Sequence, residues 1–146
     1  MQRPQPTLKS SYPHLVALST RWSDNDAYGH LNNVIYYSLF DTAVNRHLLD
    51  NGVLDIATSP IVGFVVETRC TYFASLAYPD EIEVGLKVVK LGKTSVTYEV
   101  AIFRASEEMA AAVGSFTHVY VDRATNRPAP IPEKVRALLS TLVVVA

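Results

Sequence analysis

The sequence predicts an α+β fold in which a curved antiparallel sheet of about five strands wraps around one long central helix. Three observations predict it. Residues 33–50 carry apolar side chains at helical spacing around more than half of the circumference, so this helix is expected to be buried on most sides. From Ile61 onward the period changes to two, over four long segments. Turn sequences join the later segments, Leu91-Gly92-Lys93 first and then Ser106-Glu107-Glu108. Strands longer than the usual ~5–6 residues suit a strongly curved sheet.

The elements follow in order. Residues 15–22 read as a strand, with Val16, Leu18 and Thr20 opposed to Ala17, Ser19 and Arg21. Residues 23–32 are a polar loop containing Gly29. The helix over 33–50 places Tyr36, Phe40, Ala43, Val44 and His47 on one face, which Ile35 and Leu39 widen, and Asn51-Gly52 supplies a left-handed stop. Strands are expected over 61–73, 81–90, 94–104 and 109–122. In the second of these, Ile82, Val84, Leu86 and Val88 oppose Glu81, Glu83, Gly85 and Lys87; in the third, Val96, Tyr98, Val100 and Ile102 share a face. Residues 132–139 read as a short helix with proline in its first turn. Residues 1–14, with Pro4 and Pro6, are expected to form a loose arm, and 15–146 a single domain.

Composition narrows the function classes. Thirteen Lys and Arg against fourteen Asp and Glu leave a net charge of −1, without the basic excess that a nucleic-acid partner would call for. At 49% hydrophobic and 18% charged residues, the chain can build a core and is too apolar for disorder. The low charge also points to apolar surface hidden in a homo-oligomer. One cysteine, Cys70, excludes an intrachain disulfide framework and a cysteine-based zinc site. No apolar run approaches the ~20 residues of a membrane span, and residues 1–10 carry no signal-like stretch. A cytoplasmic protein with no membrane partner is expected.

The chemistry-bearing segment is Arg21 to Asn33, RWSDNDAYGHLNN. It gathers two carboxylates, a histidine and three amides where a strand feeds a helix. The unpaired N–H groups of a first helical turn carry partial positive charge and suit a polarised carbonyl oxygen. A carboxylate a few residues upstream adds a base, and base plus oxyanion donors is the pairing that acyl transfer needs. Other readings fit less of the segment. As a calcium loop, Asp24, Asp26 and Gly29 fall at positions one, three and six, but Tyr28 and Ile35 occupy five and twelve. A DxD aspartyl nucleophile would need a parallel sheet behind it, where the chain shows hairpins. Asp24, Asp26 and His30 could hold a metal, but no second ligand cluster accompanies them. The same Asp and Asn residues also serve as ordinary caps and turn formers.

DNDAYGHLNNVIYYSLFDTA resembles the signature of the hotdog-fold acyl-CoA thioesterases, in the 4-hydroxybenzoyl-CoA thioesterase-like group. GFVVETRCTYFASLAYPDEIEV, KLGKTSVTYEVAIFR and GSFTHVYVDRATNRPAPIP extend the resemblance over roughly residues 15 to 139. It implies a hotdog fold assembled as a homodimer or a dimer of dimers, and hydrolysis of an acyl-CoA to a carboxylic acid and CoA. Asp26 matches the catalytic carboxylate, acting as nucleophile or as general base. The Asn33 backbone N–H matches the oxyanion donor. His30 and Asn32 match residues that shape the loop and contact substrate. Tyr36 is expected in the core and in the substrate pocket. No cofactor is implied, since CoA belongs to the substrate, and no metal.

Lys90, Lys93, Ser95, Arg123 and Arg127 are candidates for the CoA phosphates by charge and position. Glu67 is a secondary acid candidate, more simply read as a paired polar residue at a subunit boundary. Asp41 reads as structural and His118 as a satisfied strand histidine, while His14 and His47 carry no signal. Cys70 has no identifiable base and is not expected to be a nucleophile. Two alternatives stay open: a hydratase or dehydratase of the same fold, and a non-catalytic acyl-CoA-binding dimer.

Overall fold

The computed structural model describes residues 4–144. The long helix forms where its periodicity places it, as α1 (Asn33–Asp50). Asn32 caps it, its side-chain oxygen accepting the Val34 N–H at 3.1 Å, and Gly52 (φ +70°) follows its end. The strands are β1 (His14–Ser19), β2 (Ile61–Tyr72), β3 (Glu81–Leu91), β4 (Ser95–Arg104) and β5 (Ala112–Asp122), followed by the two-residue β6 (Arg127–Pro128) and by α2 (Glu133–Ser140). They form one antiparallel sheet in the order β1-β3-β4-β5-β2, with β6 beside the end of β5. Bulges at Val65/Glu67 and Val88/Lys90 add local bend and twist. This is the hotdog arrangement, a curved sheet around one long helix.

Three boundaries differ from the sequence reading. β1 ends at Ser19 because residues 22–24 close into a 3₁₀ turn, in which the Asp24 carboxylate accepts the Arg21 N–H at 2.8 Å. β5 starts at Ala112 because residues 109–110 pair instead with the N-terminal segment, Leu8 bridging Met109 and the Ala110 N–H reaching the Thr7 carbonyl. Pro132 is the N-cap of α2 and lies just outside it.

The expected loose arm is a correction. Over its described part it lies docked on the outer face of the sheet. Tyr12 is buried against Phe103 and Ala101, and its hydroxyl donates to Glu99 at 2.7 Å. Lys9 is buried, pairs with Glu83 at 2.8 Å and donates to the Ala105 carbonyl. A buried lysine with both partners in place costs little to keep there.

The core lies between α1 and the concave face of the sheet. Phe40, Ala43 and Val44 meet Tyr98, Val100, Ile102 and Phe116. Phe40 lies so close to β5 that a Cβ on Gly114 would collide with its ring and with the Arg69 carbonyl. Gly114→Ala should therefore lower stability by about 1–3 kcal/mol, read as a lower urea midpoint at unchanged slope.

Burial of α1 is narrower than the sequence predicts. Within one chain the sheet covers a single face, and Val34 (63% exposed) and Leu49 (39%) remain at the surface. The edge strand β2 likewise exposes Phe64, Val65 and Val66.

Candidate active site

The segment between β1 and α1 is held by its own polar residues. Asp24 is buried and takes the Arg21 guanidinium at 2.9 and 3.1 Å, while its carbonyl accepts the Asn32 N–H at 2.9 Å. Asp24 is thus a structural anchor. Asp26 is half-buried two residues later. Its N–H donates to the His30 carbonyl at 2.8 Å, and its Oδ1 accepts the N–H of Tyr28 at 2.8 Å and, more weakly, that of His30 at 3.4 Å. Gly29 closes this turn at φ +81°, where a side chain would be strained. Oδ2 of Asp26 accepts no hydrogen bond among the described residues. One carboxylate oxygen is fixed by backbone donors and the other is open to a substrate.

Asn33 is the first residue of α1, and its N–H has no hydrogen-bond partner among the described residues, as expected of a first-turn donor. Its carbonyl accepts the Tyr72 hydroxyl at 3.1 Å, which ties the end of β2 to the start of α1. A groove of about 310 Å³ opens here, lined by His30, Asn33, Tyr36, Tyr72, Phe73 and Ser75 among others. Tyr36 is buried, with its ring edge-on to Tyr72 at 4.8 Å between centroids, so it serves core and groove together. Asp26 and Asn32 do not line the groove; Asp26 is joined to it through the paired residue His30. Tyr72, Phe73 and Ser75 were not singled out from sequence. The only available signal was the aromatic pair ending a strand that antiparallel packing returns to the helix start.

Other candidates lie elsewhere. None of Lys90, Lys93, Ser95, Arg123 and Arg127 lines this groove. Lys93, Ser95, Arg123 and Arg127 sit toward the end of the sheet where β2 begins. Asn33 sits where β2 finishes. At ~3.3 Å per residue the two ends are about 35 Å apart, so one chain does not bring these groups to Asn33. Lys90 is an exposed residue of β3, separated from β2 by β4 and β5. Arg123 is tied to the carbonyls of Ile56 at 2.6 Å and Ala57 at 3.3 Å. Glu67 is exposed on the edge strand, 3.9 Å from Arg69. Asp41 accepts the side-chain amide of Asn45 one turn along α1. Burial pushes the half-buried Cys70 thiol up to about 11, and no base adjoins it. Among the described residues, no three His, Cys, Asp or Glu side chains group as a metal site, and no helix is long and apolar enough to cross a membrane.

The family model of the thioesterase-like superfamily matches residues 20–139. The chain belongs to the thioesterase-like superfamily. The loop, α1 and strands β2 to β6 fall inside the match, and β1 lies just before it. The PA5185 protein of Pseudomonas aeruginosa strain PAO1 is similar at 47% identity, over 97% of this chain and 99% of its own, with a TM-score of 0.95. PA2801 of Pseudomonas aeruginosa, described as a proposed thioesterase, is 27% identical over 86% of this chain and 97% of its own, with a TM-score of 0.80. Slr0204, a 1,4-dihydroxy-2-naphthoyl-CoA thioesterase from Synechocystis, shares the fold at 16% identity, over 86% and 94% of the two chains, with a TM-score of 0.78. No curated protein matches the chain. Membership of the superfamily supports thioester hydrolysis in general.

His118 of this thioesterase-like chain departs from the sequence reading, while His47 lies buried on the helix face where the sequence places it. His118 is buried on the concave face but is not satisfied: Nδ1 has no hydrogen-bond partner among the described residues. His47 is buried against His14, ring centroids 4.2 Å apart, and its Nε2 has no partner among the described residues. Burial holds both at about 4, and the neighbouring His14 adds to the effect at His47. The native state therefore binds fewer protons than the unfolded chain below the ordinary histidine value of about 6.5. Their contribution is fully present above that pH and is lost as pH falls from about 6.5 toward 4. For His118 alone the loss at pH 4.5 should be about 2–3 kcal/mol. Urea unfolding of wild type and His118→Phe at pH 7.5 and 4.5 should show the smaller acid penalty in the variant.

Proposed function

We propose that this protein hydrolyses an acyl-CoA thioester to a free carboxylic acid and CoA. The arrangement at the start of α1 carries the reading: a first-turn N–H at Asn33, with no partner among the described residues, borders a groove whose adjoining loop holds Asp26 through Oδ1 and leaves Oδ2 unbonded among those residues. The thioester carbonyl oxygen accepts from the Asn33 N–H, where the helix dipole favours the negative charge of the tetrahedral intermediate. His30, Asn32 and Tyr36 shape the surface on which the acyl group lies.

Asp26 acts through its open oxygen in one of two routes. As general base it takes a proton from water, the water oxygen bonds to the carbonyl carbon, the C–S bond breaks with its electrons moving to sulfur, and the proton passes to the CoA thiolate. As nucleophile it bonds to the carbonyl carbon and expels the thiolate, and water then cleaves the resulting anhydride. Neither route calls for a metal or redox cofactor. Capture of a labelled acyl-enzyme would single out the second.

The reading includes a homodimer built by pairing β2 edges. β2 is an unpaired edge with Phe64, Val65 and Val66 exposed, a surface that otherwise invites aggregation. Two-fold antiparallel pairing sets the start of one β2 beside the end of the other. Lys93, Ser95, Arg123 and Arg127 of one protomer then approach the α1 start of its partner, where CoA phosphates would need them. Two such dimers could associate further.

The test is free-thiol release from a panel of acyl-CoAs by wild type and Asp26→Asn. Tight acyl-CoA binding without turnover across the panel would replace hydrolysis by simple binding. Water addition to an enoyl-CoA without free thiol would make the protein a hydratase.

A further inference from the structure

The Asn33 N–H borders the groove, but nothing inside α1 aims it. A first-turn donor has no intrahelical partner and helix ends fray, so its direction depends on what holds the backbone around it. The loop supplies part of that hold: the Leu31 N–H reaches the Leu76 carbonyl at 2.8 Å, the Asn32 N–H reaches the Asp24 carbonyl at 2.9 Å, and the Asn32 side chain caps Val34. Residue 33 itself is held by Tyr72, whose hydroxyl donates to the Asn33 carbonyl at 3.1 Å. A carbonyl only accepts, so the phenol is the donor here. Among the described residues, Tyr72 is the only side chain from beyond the loop and α1 that bonds to residues 31–34. The support behind Tyr72 is firm. It ends β2 opposite Ala112 of β5, and the next two N–H groups, of Phe73 and Ala74, both donate to the Ala111 carbonyl, at 2.8 and 3.1 Å. Its ring stands edge-on to the buried Tyr36 ring. Packing therefore holds the ring, and the hydroxyl is left to hold Asn33.

We propose that Tyr72 is a positioning residue for thioester hydrolysis: its hydroxyl anchors the first residue of α1 to the end of β2 and so aims the Asn33 N–H at the thioester carbonyl oxygen. The inference rests on the hydrolase reading, in which that N–H is the oxyanion donor. Such a donor works when it is held in advance at about 2.7–3.1 Å from the place the oxyanion will occupy. A misplacement of ~1 Å costs about 10²-fold in rate. Tyr72 touches no reacting atom in this role and acts through Asn33. Its loss leaves the Leu31 and Asn32 bonds in place, so the expected effect is smaller, about tenfold.

The test is Tyr72→Phe in the full-length protein, which keeps the ring and deletes the one hydrogen bond. On the best acyl-CoA of the panel, kcat should fall about tenfold with KM nearly unchanged and the thermal midpoint within a few degrees of wild type. Unchanged kcat would overturn the inference. A raised KM with kcat kept would also overturn it, by making the hydroxyl a substrate contact. The second measurement places Tyr72→Phe on an Asn33→Pro background. With the donor already gone, the added substitution should cost almost nothing, because both act on one interaction. A further tenfold loss there would mean that the hydroxyl acts on the substrate directly. The third needs no turnover: hydrogen exchange of the amides of residues 34–37 should be several-fold faster in Tyr72→Phe than in wild type. Equal exchange would show that the bond does not hold this turn. Faster exchange in a protein that releases no thiol from any acyl-CoA would keep the anchor and remove its catalytic role together with the hydrolase reading. Asp26-dependent turnover with wild-type kcat in Tyr72→Phe would keep that reading and overturn this inference alone.

Discussion

Asp26→Asn should lower kcat for acyl-CoA hydrolysis by about 10²–10⁴, the range that a positioned general base supplies, while leaving the fold intact. The substitution is nearly isosteric. Its amide oxygen can still accept the Tyr28 and His30 N–H groups that Oδ1 accepts in the wild type, so the turn closed by Gly29 keeps its hydrogen bonds. What disappears is the charge and basicity of the open oxygen. KM should change little, because the carboxylate acts on the reacting atoms and holds no remote part of the substrate. The thermal midpoint should stay within a few degrees of wild type. A variant that keeps wild-type turnover would move the catalytic acid elsewhere, with Glu67 next to be substituted. Asp24 is a poor substitute, because its carboxylate is buried and already bound to Arg21.

The parts legible in the sequence are those that local chemistry specifies. The helix over 33–50 announces itself through Tyr36, Phe40, Ala43 and Val44 at helical spacing and through Asn51-Gly52 at its end. The alternation of Ile82, Val84, Leu86 and Val88 sets the buried face of β3, and all four are buried. What stayed hidden depends on contacts between distant residues. Lys9 finds Glu83, and Tyr12 finds Glu99, only after β3 and β4 have formed, so polar residues and prolines near the N-terminus suggested a loose arm. Lys93, Arg123 and Arg127 are phosphate candidates by charge and position, but which end of the 12-residue β2 they adjoin follows only from the strand pairing. His118 alternates correctly into the core, yet its neighbours are Phe116, Tyr98 and Tyr120 rings that leave Nδ1 unpaired. Burial could be read from its period; the missing partner could not.

Asn33→Pro offers a way to delete a backbone donor at the proposed oxyanion position without disturbing the helix that presents it. Proline has no N–H, and the first helical position is where it is best tolerated, since that donor has no intrahelical partner. The residue before proline must be extended, and Asn32 already sits at φ −59° and ψ 137°. The Asn32 cap on Val34 and the Ile35 N–H bond to the Asn32 carbonyl can both persist. Loss of one oxyanion donor costs about 2.7–4 kcal/mol of transition-state stabilisation, or 10²–10³ in kcat. kcat and kcat/KM should fall together, because the interaction strengthens as charge develops on the oxygen. Asn33→Ala is the decisive companion. It removes the side chain and keeps the N–H, so near-wild-type kcat there beside a collapsed kcat in Asn33→Pro would locate the effect in the backbone. Equal losses in both variants would assign the role to the Asn33 amide side chain. Full activity in Asn33→Pro, with the helix content unchanged by circular dichroism, would remove this N–H from the chemistry.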